Sequence, residues 1–395
     1  MRTKARIFQW LLRLAALMTA TIVQADTLRI ASFNTSLSGR EAGELGQFIL
    51  TESPRVRAVA EIIQRVRPDI ILLNEFDFDP AALVAFQQLL QKGQDTVAVG
   101  AADPITFPHS FTAPVNTGAP SGFDLNGDGV IGGAGDAYGF GYFPGQYGMA
   151  VLSRYPIVES RRFQRFLWED MPGNLIPNGF YTPAAQRALR LSSKSHWDLT
   201  FQIGPDQLHL LASHPTPPVF DGVEDRNGRR NFDEIRFWAD YVTGADYIYD
   251  DSGNFGGLLP KRHFVIAGDL NADPLDGESR DTAIAQLLGH PLVNADITPA
   301  SQGGALAADR QKGANLSHKG NPAFDTADFG YDKDNPDTDR APGNLRVDYV
   351  LPSRTLRIKD AGVFWLTPEN SLFALAEWPT SDHRLVWIDI ETPLN

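Results

Sequence analysis

RHFVIAGDLN, residues 262–271, climbs from a basic start through an apolar stretch, Phe264 to Ala267, to the polar tip Gly268-Asp269-Leu270-Asn271. A short run that is apolar on both faces reads as a strand buried from both sides. Ending such a strand in an acid and an amide places chemistry at its tip. The same pattern recurs in TLRIASFN (27–34), PDIILLNE (68–75), YGMAVLSR (147–154), LTFQIG (199–204), QLHLLASH (207–214), RVDYVLPS (346–353) and RLVWIDI (384–390). Helical periodicity lies between these runs. RVRAVAEIIQRV (55–66) puts Val56, Val59, Ile62, Ile63 and Val66 on one face, and NFDEIRFWADYV (231–242) does the same with Ile235, Trp238 and Val242. Strands alternating with helices, with some direct hairpins, specify α/β layers in one domain. Two stretches rich in glycine and proline, 101–146 and 298–345, exceed ordinary connections and are expected to be functional loops at one rim.

The first 25 residues read as a sorting signal. Arg2, Lys4, Arg6 and Arg13 precede an apolar run from Leu14 to Val23, and Val23-Gln24-Ala25 supplies a cleavage site after Ala25. The run is too short to span a bilayer, which takes roughly 20 apolar residues, and no later segment is long and apolar enough. The expected mature domain, 26–395, is therefore secreted or periplasmic, with no obligate protein partner inferred. Losing those four basic residues takes the formal charge from −13 to −17. So acidic a surface does not hold nucleic acid by bulk charge, although bound metal ions can neutralise a site locally. The chain has no cysteine, so burial, and any bound ions, must stabilise it outside the cytoplasm without disulfides.

Asn34, Glu75, His214, Asp269 with Asn271, Asp348, and Asp382 with His383 each stand at or beside the end of an expected strand. Strand ends of α/β layers converge on one rim. Several carboxylates gathered there repel one another unless cations sit between them, and hard oxygen ligands suit Mg²⁺, Mn²⁺ or Ca²⁺ better than zinc. Carboxylate, amide, imidazole and metal together are what in-line attack of water on phosphorus requires.

Taken in order, SFN (32–34), NE (74–75), GMAVLSRYPI (148–157), SHPTP (213–217), GDLN (268–271), RVDYVL (346–351) and SDH (381–383) resemble the endonuclease/exonuclease/phosphatase superfamily. That superfamily includes pancreatic-type deoxyribonucleases, apurinic-site endonucleases, neutral sphingomyelinases and inositol polyphosphate 5-phosphatases. The resemblance spans almost the whole mature chain. It implies a four-layer sandwich, two mixed β-sheets face to face with helices on both outer faces. It also implies that Glu75 ligates the metal with Asn34 and Asp382 beside it, that Asp269 orients or deprotonates the attacking water, and that Asn271 hydrogen-bonds the phosphate. His383 would contact the phosphate as an imidazolium oriented by Asp348. His214 aligns with the second catalytic histidine of the pancreatic-type enzymes, whose glutamate partner falls here near Gly148. The expectation is therefore a phosphate ligand rather than a general acid.

Two features lie outside that pattern. FDLNGDGVIGG holds Asp124, Asn126 and Asp128 at the first, third and fifth places of a calcium loop. Gly135 stands where the twelfth-place glutamate belongs and Asp136 follows, and a structural Ca²⁺ is expected at 124–136. EDRNGRRNFDE (224–234) gathers Arg226, Arg229 and Arg230, read as a clamp for a substrate phosphate, with Arg187 as a further candidate. DTADFGYDKDNPDTD (325–339) reads as a solvated acidic loop. The function expected is metal-dependent hydrolysis of a phosphodiester, on nucleic acid or a small phosphodiester, possible nucleases included. The alternatives are a phosphomonoesterase, a sphingomyelinase-like lipid phosphodiesterase hinted at by GFGYF (139–143), and a non-enzymatic calcium-binding module.

Overall fold

Every apolar run quoted above becomes a strand in the computed structural model, which describes residues 27–330, 341–377, 379–392 and 394. The expected signal segment, 1–25, lies outside the described residues. In chain order the strands are β1 (Thr27–Asn34), β2 (Ile70–Asn74), β3 (His109–Phe111), β4 (Met149–Ser153), β5 (Ile157–Arg162), β6 (His196–Ile203), β7 (Asp206–Ser213), β8 (His263–Asp269), β9 (Ala327–Asp328), β10 (Asn344–Leu345), β11 (Asp348–Pro352), β12 (Ile358–Val363) and β13 (Val386–Glu391). One sheet has the order β12-β13-β1-β2-β4-β3 and the other β11-β8-β7-β6-β5, both mixed, because β1–β2 and β7–β8 are parallel and the remaining pairs antiparallel. β9 and β10 form a separate ribbon.

The alternation within each strand decides the layers. On β1, Leu28 and Ile30 face the second sheet, packing with Met149, Val151, Leu199, Leu210 and Val265, while Ala31 and Phe33 turn outward. Helices α1 (Glu44–Leu50), α2 (Pro54–Val66) and α3 (Pro80–Leu90) cover that outer face. Helices α4 (Pro183–Ala188) and α5 (Arg226–Val242) cover the second sheet, with Ile235, Phe237 and Trp238 of α5 packed on Leu211 and Ile266. The result is the four-layer sandwich. α2 begins where Ser53 accepts from the Val56 N–H with Pro54 in the first turn, and it ends at Arg67 in left-handed backbone. Among the described residues no helix is long and apolar enough to cross a membrane.

Both glycine-rich stretches contain structure. Residues 101–146 include β3, and 298–345 carries a helix, α7 in chain order after the short α6 (Ala285–Leu288), at Gln302–Gln311, together with the β9–β10 ribbon. The acidic run 325–339 needs correcting at its start. Asp325, Thr326 and Ala327 are buried, and Thr326 takes part in the site described next; residues 331–339 lie outside the described residues. A buried Thr326 has a reason to be there, since its hydroxyl accepts the N–H groups of Val347 and Asp348 and donates to the Asp348 carboxylate.

Candidate active site

Register brings the polar tips together. β8 and β11 pair so that Asp269 stands opposite Asp348, and β1 and β2 pair so that Asn34 stands opposite Asn74, with Glu75 next along the chain. Asn74 stitches the sheets, its Oδ1 accepting from the Asp269 N–H at 3.1 Å and its Nδ2 donating to the Ser213 carbonyl at 3.3 Å. Gly268 is required there, since a Cβ would lie 2.0 Å from that same Ser213 oxygen. Ser36, Glu75, Tyr147 and Asn271 all hold left-handed backbone, φ 48°, 53°, 51° and 51°. Strain in non-glycine residues concentrates where a surrounding structure over-determines it, as at functional rims.

The Asp269 carboxylate is the hub. Its Oδ2 lies 3.0 Å from Asn34 Nδ2, 3.3 Å from His214 Nε2 and 3.7 Å from His383 Nε2, and its Oδ1 accepts the Asn271 N–H at 3.0 Å. Burial alone would raise its pKa, but the two imidazoles and Asn34 hold it below the usual carboxylate range. His383 donates through Nδ1 to Asp348 Oδ2 at 2.9 Å. Burial opposes its charge, yet Asp348 and Asp269 together raise its pKa well above the ordinary value, so it stands as an imidazolium. Among the described residues Asp348 Oδ1 has no hydrogen-bond partner.

His214 differs. Burial, and then the positive charge of Lys194, push it down to about 4 despite its bond to Asp269, so it is neutral near pH 7. Its Nδ1 is buried without a hydrogen-bond partner among the described residues. Gly148 shows why no glutamate serves it from the expected place. A Cβ there would lie 2.8 Å from the Phe76 carbonyl and 2.9 Å from the Phe78 nitrogen, leaving no room for any side chain.

The expected metal ligands also meet here. Glu75 is pushed up to about 7 by burial and then by the charge of Asp382, which His383 and Lys194 offset only in part. Such a pair of hard oxygen donors fits a divalent cation such as Mg²⁺ or Mn²⁺. Asn34 acts as a bridge, its Nδ2 reaching Glu75 Oε1 at 3.3 Å as well as Asp269, while its Oδ1 accepts the Ser36 N–H. Asp382 accepts from Ser36 Oγ at 2.7 Å. Among the described residues, Asp269, Asp348 and His383 form a group of three with possible ligand atoms within 4.8 Å of one another. The hydrogen bond from His383 to Asp348 and its 3.7 Å ion pair with Asp269 already engage that group with one another, which leaves Glu75 with Asp382 the better cation seat.

Asn271 turns its Nδ2 to the Pro215 carbonyl at 3.1 Å, fixing the chain just after His214. The basic knot is used differently from the clamp expected. Arg230 donates to the backbone oxygens of Leu191, Tyr138 and Arg190, Arg229 to that of Glu224, and Arg226 pairs with the Glu224 carboxylate. Those guanidinium groups bind loops together, and Arg187 is exposed on α4. In the loop at 124–136, Asp124 accepts from Gly127 and Gly129, Asn126 from Asp128, Asp128 from Val130, and Asp136 from Leu125 and Gly132. Residues that the sequence reading passed over also reach the site. Thr326 holds Asp348, Arg55 lies near Glu75 and Asp382, and the Tyr147 phenol is raised by burial and by Glu75. Its place two residues before β4 was the available signal for Tyr147; Thr326, far from any motif, had none.

A model of the Endonuclease/Exonuclease/phosphatase family matches residues 31–383. A search of curated proteins found no match. Among solved structures, an endonuclease/exonuclease/phosphatase from Beutenbergia cavernae is similar with TM-score 0.49 and 16% identity, over 92% of this chain and 71% of that one. A family protein from Leptotrichia buccalis gives 0.47 and 14%, over 92% and 99%. Sphingomyelinase C from Streptomyces griseocarneus gives 0.47 and 15%, also over 92% and 99%. With the family model spanning nearly every element of the sandwich and its rim, the chain belongs to the endonuclease/exonuclease/phosphatase family and is a metal-dependent phosphoesterase.

Proposed function

We propose that the protein is an exported phosphodiesterase, acting on nucleic acid or a small phosphodiester, that drives water in line onto phosphorus. The observation that carries this reading is the arrangement around Asp269, an ionised carboxylate ringed by an amide, a neutral imidazole and an imidazolium, beside the Glu75–Asp382 pair. Asp269 orients the water and takes its proton. His383, its charge held by Asp348, faces the negative charge that builds on the phosphoryl oxygens. His214 and Asn271 supply N–H groups to the same oxygens. A divalent cation held by Glu75 and Asp382, when bound, adds further charge stabilisation there.

A lipid phosphodiester is the second reading, favoured by Phe140 and Tyr142, which form an edge-to-face pair while 57% and 71% exposed. We place the protein outside the cytoplasm on the strength of residues 1–25, and assign Ca²⁺ to the loop at 124–136 as a structural ion. A Ca²⁺-dependent rise in melting temperature, lost in Asp128→Ala, supports that ion; no rise leaves a turn closed on its own amides.

The test is a panel of duplex DNA, RNA, bis-p-nitrophenyl phosphate, p-nitrophenyl phosphate and sphingomyelin, each with Mg²⁺, Mn²⁺, Ca²⁺ or chelator. Diester turnover abolished by chelator is expected. Turnover of the monoester alone overturns the diester reading, and preference for sphingomyelin selects the lipid one.

A further inference from the structure

Lys194 lies in SSKSHW (192–197), the turn that feeds β6. Its backbone is pinned on every side. Asn116 donates its N–H to the Lys194 carbonyl at 2.9 Å and its Nδ2 to the Ser192 carbonyl at 2.8 Å. Ser193 donates its N–H and hydroxyl to Glu234 Oε1 at 2.6 and 3.0 Å, and its hydroxyl also reaches the His214 carbonyl at 3.2 Å. The side chain thus leaves a rigid turn directly beside His214. Lys194 is only 6% exposed. Among the described residues its ammonium makes no hydrogen bond and no ion pair within 4.0 Å. Burial lowers its pKa from the ordinary lysine value, the charges of Glu234, Glu75 and Asp269 work against that shift, and Lys194 acts in turn on Glu75 and His214. A buried cation without a close partner is costly unless an anion completes it.

We propose that Lys194 is a catalytic residue that binds a non-bridging phosphoryl oxygen of the substrate. This rests on the phosphoesterase reading and goes beyond it. The role answers a gap in the site: His214 is bonded to Asp269 through Nε2, but among the described residues its Nδ1 has no partner and the ring is neutral, so it brings no positive charge to that side of the phosphate, and Lys194 stands where it can supply one. The ammonium takes up a phosphoryl oxygen as a charged hydrogen bond, and no proton need move.

The test uses the full mature chain, metal-loaded, with inorganic phosphate as the probe. Lys194→Met keeps the buried stem and removes the charge. It is expected to lower kcat/KM on the best diester about a hundredfold and to weaken phosphate binding, read by calorimetry, about tenfold. Because the chain has no cysteine, Lys194→Cys carries a unique thiol. Alkylation with 2-bromoethylamine, done unfolded and followed by refolding, restores an ammonium at nearly the same reach and should recover most of both losses. Capping the same thiol with a neutral ethyl group should recover neither. If Lys194 only counterbalances Glu234, both variants lose stability while phosphate affinity stays at wild type, and that result overturns the proposal. So does equal recovery by the neutral cap. Phosphate calorimetry needs no turnover, so it judges Lys194 even where the substrate panel fails. A wild type inert on every substrate would count against the phosphoesterase reading alone.

Discussion

The chain buries two histidine–aspartate pairs with almost the same bond, His383 Nδ1 to Asp348 at 2.9 Å and His209 Nδ1 to Asp198 at 2.8 Å. The second lies on the outer face of the β5–β8 sheet, beside a cavity of about 750 Å³ also lined by Arg161, Tyr241, Asp250 and Phe255. There the bonds run outward from the pair into the fold, although among the described residues His209 Nε2 is buried without a partner. Asp198 Oδ2 accepts the Tyr241 hydroxyl at 2.6 Å, and Tyr241 receives Arg161, which pairs with Asp250 and donates to the Gly256 and Asn254 carbonyls. That chain of bonds ties the 250–258 loop to the sheet. At the rim, titratable groups are gathered instead: His383 turns its second nitrogen to Asp269, and the charge of Asp382 acts on Glu75. Neither concavity nor a His–Asp bond marks the chemistry. Like charges held together against their own repulsion do.

The strongest way to break this contrast is to remove the rim's carboxylates. Asp269→Asn and Glu75→Gln should each lower kcat by roughly a thousandfold, since water activation and metal ligation commonly supply several kcal/mol of barrier. In chelator, Glu75→Gln should also raise the unfolding free energy by on the order of 1 kcal/mol, because a carboxyl pushed up to about 7 by burial and by Asp382 is a folding liability above its unfolded pKa. A variant that keeps a tenth of the wild-type rate removes its residue from the site.

Next in size is the exchange between the two pairs. Asp348→Asn releases the charge on His383 and should cost about a hundredfold in kcat. Asp198→Asn should leave kcat/KM within about twofold while lowering stability by about 1–3 kcal/mol, the cost of a broken buried hydrogen bond, read by urea unfolding. Loss of turnover in Asp198→Asn, with the fold intact, would falsify the bracing role and make the cavity part of the active site.

Sequence alone made the rim legible, because period and polarity change together at strand ends: Asn34, Glu75, His214 and Asp269 follow apolar runs and His383 directly precedes one. The lone strands β3, β5 and β12 were missed for the converse reason. They lie toward sheet edges, and IVESRR at β5 is half exposed and polar. The charge of Arg226, Arg229 and Arg230 was visible, but not its use: Arg226 pairs with the Glu224 carboxylate, and the backbone carbonyls that Arg229 and Arg230 bind leave no trace in sequence. Thr326 was hidden inside an acidic run whose composition suggests solvent. Lys194 was hidden because burial of a lysine depends on which turns close over it, and here those are set by Asn116 and Glu234, far away in the chain.

A smaller effect separates buried histidines by the sign of their titration. His196 and His214 are both pushed to about 4, chiefly by burial; His196 packs on Phe237 and Trp238 and bonds to Ser192 and the Glu234 carbonyl. The native state refuses a proton that the unfolded chain accepts below about 6.5. Their contribution is therefore complete above that pH and is lost as pH falls toward 4, about 2 kcal/mol for each at pH 5. His383 works oppositely: raised in the folded state, it stabilises fully below the unfolded pKa and loses that contribution as pH rises through its folded value. Urea unfolding of His196→Gln at pH 7.5 and pH 5 should show a dependence shallower than wild type by about 2 kcal/mol. An unchanged dependence would mean that the imidazole ionises in the folded state.

The smallest expected effect concerns His214, the rim histidine with no carboxylate behind it. A general acid must be charged before it gives up its proton, and burial together with Lys194 keeps His214 neutral near pH 7. It can still donate one N–H, now shared with Asp269, to a phosphoryl oxygen. Loss of such a contact should cost about tenfold in kcat/KM, and equally for every leaving group, because the contact does not involve the departing oxygen. A general acid behaves otherwise: its loss is felt most when the leaving group is an alkoxide that needs a proton, as with a nucleotide or glycerol, and least with p-nitrophenolate. His214→Ala should therefore lose the same factor on bis-p-nitrophenyl phosphate as on an alkyl diester. A tenfold larger loss on the alkyl diester would mean that His214 gains a proton in the complex, and that a carboxylate of the substrate-bound state takes the place from which Gly148 excludes one.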